Sequence, residues 1–196
     1  INFAERHYPE ILPLLSSTKS PQQVLGKIAK TYLPEKMGLD PAKIRVISIM
    51  PCVAKKDERV RGQLSEYGVN EIDVVLSTRE FARPLRRQNL NLATLEPSTF
   101  DNPYMTAYSG AGAIFGTTGG VMEAAIRTVY KVATGHELKD AELQQLRGFE
   151  NFRSATVDFG GSIGLVKVAM CHGLKAARQV VEEVLAGTAD YDFIEI

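Results

Sequence analysis

Apolar residues recur along this chain in two alternating rhythms. Residues 2–15 carry helical spacing interrupted by Pro9 and Pro13, which predicts one kinked helix or two short ones. Ser20-Pro21 then pairs a capping residue with proline at the first helical position. Behind it Val24, Leu25, Ile28, Ala29 and Tyr32 form one apolar face up to Pro34, so a helix is expected there. Ile44–Met50 is β-branched and nearly all apolar, the signature of a strand buried on both faces, and Pro51-Cys52 forces a turn. After a charged, weakly periodic stretch at 53–71, Asp73–Ser77 reads as a short strand. It feeds a helix opened by the capping box Ser77-Thr78-Arg79-Glu80.

The polar stretch from Asn89 to Pro103 is predicted as loop. Beyond it a glycine-rich run, Ser109 to Gly120, leads into a strong helix at Val121–Thr134 that Gly135 closes. Ser154–Phe159 and Ile163–Met170 flank Gly160-Gly161 as two strands of a hairpin. Leu174–Leu185 is an amphipathic helix ending at Gly187, and Tyr191–Ile196 begins a strand. This alternation predicts an α/β fold with at least one antiparallel pair.

Composition narrows the function classes. The 196 residues are 44% hydrophobic, enough to bury a core. Lys plus Arg equals Asp plus Glu at 23 each, so no excess positive charge exists to grip a phosphate backbone, and nucleic acid is not an expected partner. No apolar run approaches the roughly 20 residues needed to span a bilayer, so membrane insertion is not expected. The chain starts Ile1-Asn2-Phe3 and stops on an apolar strand, Phe193 to Ile196. Both ends look cut, so an internal fragment is expected, and its compartment is left open with a preference for cytoplasmic over periplasmic.

Two places carry candidate chemistry. Met50-Pro51-Cys52-Val53-Ala54-Lys55-Lys56-Asp57-Glu58 sets a thiol at the end of a strand, where sites collect, with two lysines just beyond. Neighbouring cations favour the thiolate, which suits a metal ligand or a nucleophile; the alternative is a buried cysteine followed by a solvated charge run. One cysteine cannot make a metal site, and Cys171-His172 offers no second ligand pair. The glycine-rich run meets a helix N-terminus, where backbone N–H groups attract anions, yet it has no Lys-Ser or Lys-Thr, and its Gly-x-Gly-x-x-x-Gly spacing is not the dinucleotide one. Close backbone packing is the competing reading. His7, His136 and His172 belong to no triad pattern.

Three motifs in order resemble the catalytic domain of iron-only hydrogenases: Ser-x-Lys-Ser-Pro-Gln-Gln at 17–23, Met-Pro-Cys-x-x-Lys-Lys-x-Glu at 50–58, and Ile-Phe-Gly-x-Thr-Gly-Gly-Val-Met-Glu-Ala at 114–124. Leu76 to Glu80, Ser109 to Gly112 and Asp192 to Glu195 match as well, so the resemblance covers essentially the whole chain. It implies a two-lobed α/β domain of mixed sheets flanked by helices, dividing near 89–108. The implied cofactor is a 4Fe-4S cluster joined to a di-iron unit that carries carbon monoxide, cyanide and a dithiolate bridge.

Of the family's four cluster cysteines the resemblance supplies one, Cys52. The others are expected in a Thr-Ser-Cys-Cys-Pro motif before Ile1 and a Met-Ala-Cys-x-Gly-Gly-Cys motif after Ile196, so the chain alone is expected to be inactive. Lys55 is implied to bond an anionic cyanide, and Met50 and Pro51 to wall the site. Ser20 and Gln22 would orient the dithiolate or second cyanide, and Phe115, Gly116, Gly119 and Gly120 would let the cluster approach the backbone. Glu58 and Ser16 match a proton route, and Cys171 matches no ligand. Hydrogen and protons are the implied substrates, with an electron carrier such as ferredoxin reached through further domains. The alternative is a hydrogenase-like iron-sulfur protein that lacks the di-iron unit and serves in cluster assembly or sensing.

Overall fold

In the computed structural model, which describes residues 1–65, 70–101, 103–139 and 151–196, the chain divides into two compact units. One comprises Ser16–Thr106; the other joins Ile1–Leu15 to Ala107–Ile196. Parts of two predicted stretches, residues 66–69 and 102, lie outside the described residues.

The Ser16–Thr106 unit opens with helix α2 (Pro21–Met37), following α1 (Asn2–His7), which belongs to the other unit. Ser20 caps α2 by accepting the Gln23 N–H, and Gly38 ends it in the left-handed conformation at φ 64°. Strand β1 (Ile47–Met50), the short helix α3 (Ala54–Arg59), strand β2 (Val74–Ser77) and helix α4 (Thr78–Arg87) complete a β-α-β-α arrangement. β1 and β2 are parallel, with Ile47 opposite Val74 and Met50 opposite Ser77. The capping box at Ser77 and Glu80 forms as the sequence predicts.

In this unit α2 seats on a polar side, and one expectation fails. The apolar face of α2 is turned outward, with Val24, Leu25, Ile28 and Tyr32 all exposed, while Gln22, Gln23, Gly26, Lys30 and Pro34 are buried. The helix is seated by ion pairs and a close backbone approach rather than by its apolar stripe. Lys30 bonds Asp73 at 2.8 Å and the Asn70 carbonyl at 2.6 Å, and a Cβ at Gly26 would stand 2.7 Å from the Glu71 carbonyl oxygen. Nor is β1 buried on both faces: Ile47 is 59% exposed and Ile49 45%. Among the described residues β2 is the single partner of β1, so one edge and one face stay uncovered.

The second unit is a layered α/β/α structure. Besides α1 and a 3₁₀ turn at Pro9–Leu14, it contains α5 (Gly110–Ile114), α6 (Gly120–Thr134), β3 (Phe152–Asp158), β4 (Leu165–Cys171), α7 (Leu174–Leu185) and β5 (Phe193–Glu195). The hairpin β3–β4 is antiparallel and β5 adds parallel to β4. Gly160 and Gly161, at φ 64° and 54°, make the turn, as the sequence predicts.

Alternate residues of the sheet serve opposite faces. Ala155, Val157 and Val168 meet Met122 and Ile126 of α6, whereas Phe152, Cys171 and Ile194 meet Ala176 and Val180 of α7. Ala4 and Ile11 extend the α7 side by packing on Val181. A fully buried side chain such as Val168 stabilises by roughly 1.5–3 kcal/mol. A parallel pair in one unit and a mixed three-stranded sheet in the other, with helices beside them, are the α/β class expected from the sequence.

Candidate functional site

In the Ser16–Thr106 unit the matched residues gather where β1 ends and α2 begins. The turn Pro51-Cys52 carries an exposed thiol off the C-terminal end of β1. Exposure removes the reading of Cys52 as a buried packing residue. Three residues on, Lys55 is held on the six-residue α3 and is largely covered. Its Nζ donates to Glu58 Oε2 at 2.7 Å, one helical turn away. The other Glu58 oxygen, Oε1, accepts from the Ser20 hydroxyl at the start of α2. One carboxylate thus ties the Lys55 ammonium to the cap of a helix 38 residues earlier in the chain.

Gln22 is the second residue of α2. Its Oε1 accepts from Ser48 Oγ of β1 at 2.7 Å, while its Nε2 is buried with no hydrogen-bond partner among the described residues. A buried amide donor without an acceptor costs about 1–3 kcal/mol, so Gln22 carries an unmet donor in this region. Ser48 is the partner that sequence reasoning passed over; a hydroxyl interrupting an otherwise apolar strand was the available signal. Met50 is half-buried and Pro51 exposed at the strand end. Ser16 is exposed, accepts the Thr18 N–H at 3.2 Å, and is not joined to Glu58.

A second salt bridge steadies this region. Lys56 Nζ bonds Glu80 Oε1 at 2.6 Å, and Glu80 Oε2 accepts both the Ser77 N–H and hydroxyl. The Lys56 ammonium, then the Ser77 amide and hydroxyl, hold the Glu80 carboxyl down at about 2, well below the ordinary 4.5.

The other unit carries the second matched group. Phe115 and Gly116 are exposed after α5, and Gly119 and Gly120 are buried at the start of α6. Gly119 sits in the left-handed region at φ 78°. A Cβ at Gly120 would lie 1.7 Å from the Ile114 carbonyl oxygen, so the backbone approach this glycine permits is an internal one, as the close-packing reading holds. Met122 N–H at the helix start donates to Glu195 Oε2 at 2.5 Å, so β5 supplies a carboxylate to the α6 N-terminus. Only the fold pairs those two residues, 73 positions apart. Cys171 is buried between β4 and α7, and burial, then Glu183, pushes its thiol up to about 11.

The residues fit a thiolate-ligated, anion-bearing metal group in kind: an accessible thiol, an ammonium with donors to spare and an orphaned amide. They do not suffice in number, because among the described residues no three His, Cys, Asp or Glu side chains come together as a metal site. Among the described residues no helix is long and apolar enough to cross a membrane.

Fold and site together define an α/β protein with an exposed cysteine three residues before a tethered lysine. A family described as iron only hydrogenase large subunit, C-terminal domain, matches residues 1–196. The chain is 42% identical over 193 residues to the periplasmic [Fe] hydrogenase large subunit of Nitratidesulfovibrio vulgaris, covering 98% of this chain and 45% of that protein. It is 30% identical over 201 residues to the cytosolic Fe-S cluster assembly factor narfl of Xenopus tropicalis, covering 100% of this chain and 42% of that one. Among solved structures the apo [FeFe]-hydrogenase HydA1 of Chlamydomonas reinhardtii superposes with a TM-score of 0.76 at 35% identity, over 99% of this chain and 55% of that chain. The chain belongs to the iron-only hydrogenase large-subunit family, within its C-terminal domain. It spans less than half the length of these two curated relatives.

Proposed function

We propose that the chain forms part of the hydrogen-activating domain of an iron-only hydrogenase that catalyses the reversible oxidation of hydrogen to protons and electrons. The observation that carries this reading is the exposed Cys52 thiol at the end of β1, with the tethered Lys55 and the orphaned Gln22 donor in the same region. Cys52 is assigned as one thiolate ligand of a 4Fe-4S cluster, a group that takes four, so the 196 residues do not hold it by themselves. The di-iron unit, with its carbon monoxide, cyanide and dithiolate ligands, supplies when bound the metal-centred exchange of electrons with protons and hydrogen.

The protein's own residues bind and orient. Lys55 donates from Nζ to an anionic ligand through a charge-assisted hydrogen bond. Gln22 Nε2 gains the acceptor it lacks, and Ser20 sets the start of α2 beside it. Met50 and Pro51 form an apolar flank next to Cys52, and on the other unit Phe115 and Gly116 offer exposed contact while Gly119 and Gly120 shape the turn into α6. Ser16 is assigned to the proton route. Glu58 matches the same route, but both its carboxylate oxygens are already engaged. Electrons leave through a carrier such as ferredoxin, reached by other parts of the polypeptide.

A second reading, an iron-sulfur protein of cluster assembly, draws support from the 30% identity to the narfl relative. The test uses the intact polypeptide that carries this chain, matured with its cofactors. Cys52→Ala is expected to abolish hydrogen turnover while Cys171→Ala leaves iron content and turnover nearly intact. Wild-type protein that binds iron-sulfur clusters yet lacks cyanide and carbon monoxide infrared bands and hydrogen turnover would favour the assembly reading.

A further inference from the structure

Glu58 lies at the meeting point of two elements that the sequence keeps far apart. Its carboxylate is shared: Oε2 takes the Lys55 ammonium and Oε1 takes the hydroxyl of Ser20, the residue that also caps α2. Helix α3, which carries both Lys55 and Glu58, is only six residues long and has no side-chain cap at its N-terminus. A helix of that length is marginal by itself, so its orientation depends on such ties. A lysine side chain carries about 2 kcal/mol of rotamer entropy, and an untethered ammonium gives that up only when it meets its ligand. Bonded to Glu58, the Lys55 ammonium is already placed, with further donors to present.

We propose that Glu58 is a positioning residue, which fixes the Lys55 ammonium against the start of α2 so that it meets an anionic cofactor ligand without reorganisation, rather than a member of the proton route. The inference rests on the hydrogenase reading above, in which Lys55 faces a cyanide. Its chemistry requires a carboxylate: a neutral amide presents one acceptor oxygen where the carboxylate presents one to Lys55 and another to Ser20, and it carries no charge to hold the ammonium.

The experiment uses the intact, matured polypeptide and reads the cyanide and carbon monoxide infrared bands together with iron content. Glu58→Gln is expected to shift and broaden the cyanide bands and to lower retention of the di-iron unit roughly 2- to 10-fold, the range for freeing one long side chain before binding. Lys55→Met is expected to act in the same direction, and the double variant to be no worse than Lys55→Met alone, because Glu58 acts through Lys55. Ser20→Ala keeps the Lys55–Glu58 pair and loses the other anchor; it should shift the bands less, and it preserves the test if Glu58→Gln fails to fold. Unchanged bands with slowed turnover in Glu58→Gln would overturn the inference in favour of proton relay, and fully additive losses in the double variant would overturn it too. Absence of the bands from the wild-type protein would overturn the hydrogenase reading and this inference together.

Discussion

Replacing Gly120 by alanine tests whether the turn between α5 and α6 is set by backbone contact. The added Cβ would lie 1.7 Å from the Ile114 carbonyl oxygen and 2.7 Å from Thr117 Oγ1, both short of van der Waals separation. To make room the last turn of α5 must retreat by more than an ångström. That carbonyl accepts two hydrogen bonds, from the Thr117 N–H at 3.0 Å and from Thr117 Oγ1 at 2.7 Å. Losing both costs about 1 kcal/mol each. Residual overpacking adds about 1–3 kcal/mol, and the better helix propensity of alanine returns about 1 kcal/mol. The expected net destabilisation is therefore about 2–4 kcal/mol, read as a lower urea midpoint at unchanged slope. Gly116→Ala is the control, since nothing lies within 4 Å of a Cβ there and its φ is ordinary. It should move stability by less than about 0.5 kcal/mol. Equal midpoints for the two variants would refute the contact argument.

Glu80 gives a pH prediction whose sign follows from its lowered pKa. A carboxyl at about 2 in the folded protein against 4.5 ordinarily stabilises fully above pH 4.5 and loses that contribution as pH falls toward 2. The midpoint gap between wild type and Glu80→Gln should thus be widest near neutral pH and close near pH 2; a gap independent of pH would count against it. The two cysteines should differ in alkylation: in the folded chain free of any cluster Cys52 is exposed and modifies, whereas Cys171, buried with its thiol pushed up to about 11, modifies only on unfolding. Mass spectrometry after brief iodoacetamide treatment reads this directly, and equal labelling of both would show that the sheet face against α7 is not closed.

Much of the fold was written in local chemistry. The helix starts at Ser20 and Ser77, the helix stop at Gly135 and the hairpin at Gly160-Gly161 depend on conformations and caps set within a few residues, so the sequence alone located them, whereas the helix from Ser20 runs past Pro34 to stop at Gly38. The motif around Cys52 was equally legible, because a thiol at a strand end followed by lysines is a short-range pattern. Burial was not. The strand β1 reads as buried on both faces yet leaves Ile47 and Ile49 exposed, and α2 turns its apolar stripe outward because Lys30 found Asp73 and Gly26 found the Glu71 backbone, contacts across more than 40 residues. Joining residues 1–15 to the C-terminal unit was likewise a matter of packing, with Ala4 and Ile11 filling the side of α7. The same holds at the candidate site. Sequence named Lys55, Glu58 and Ser20 separately, but a carboxylate becomes a relay or a clamp according to what its two oxygens touch, and distance along the chain says nothing about that. Only the folded backbone, by laying the start of α2 beside α3, made Glu58 the link between them.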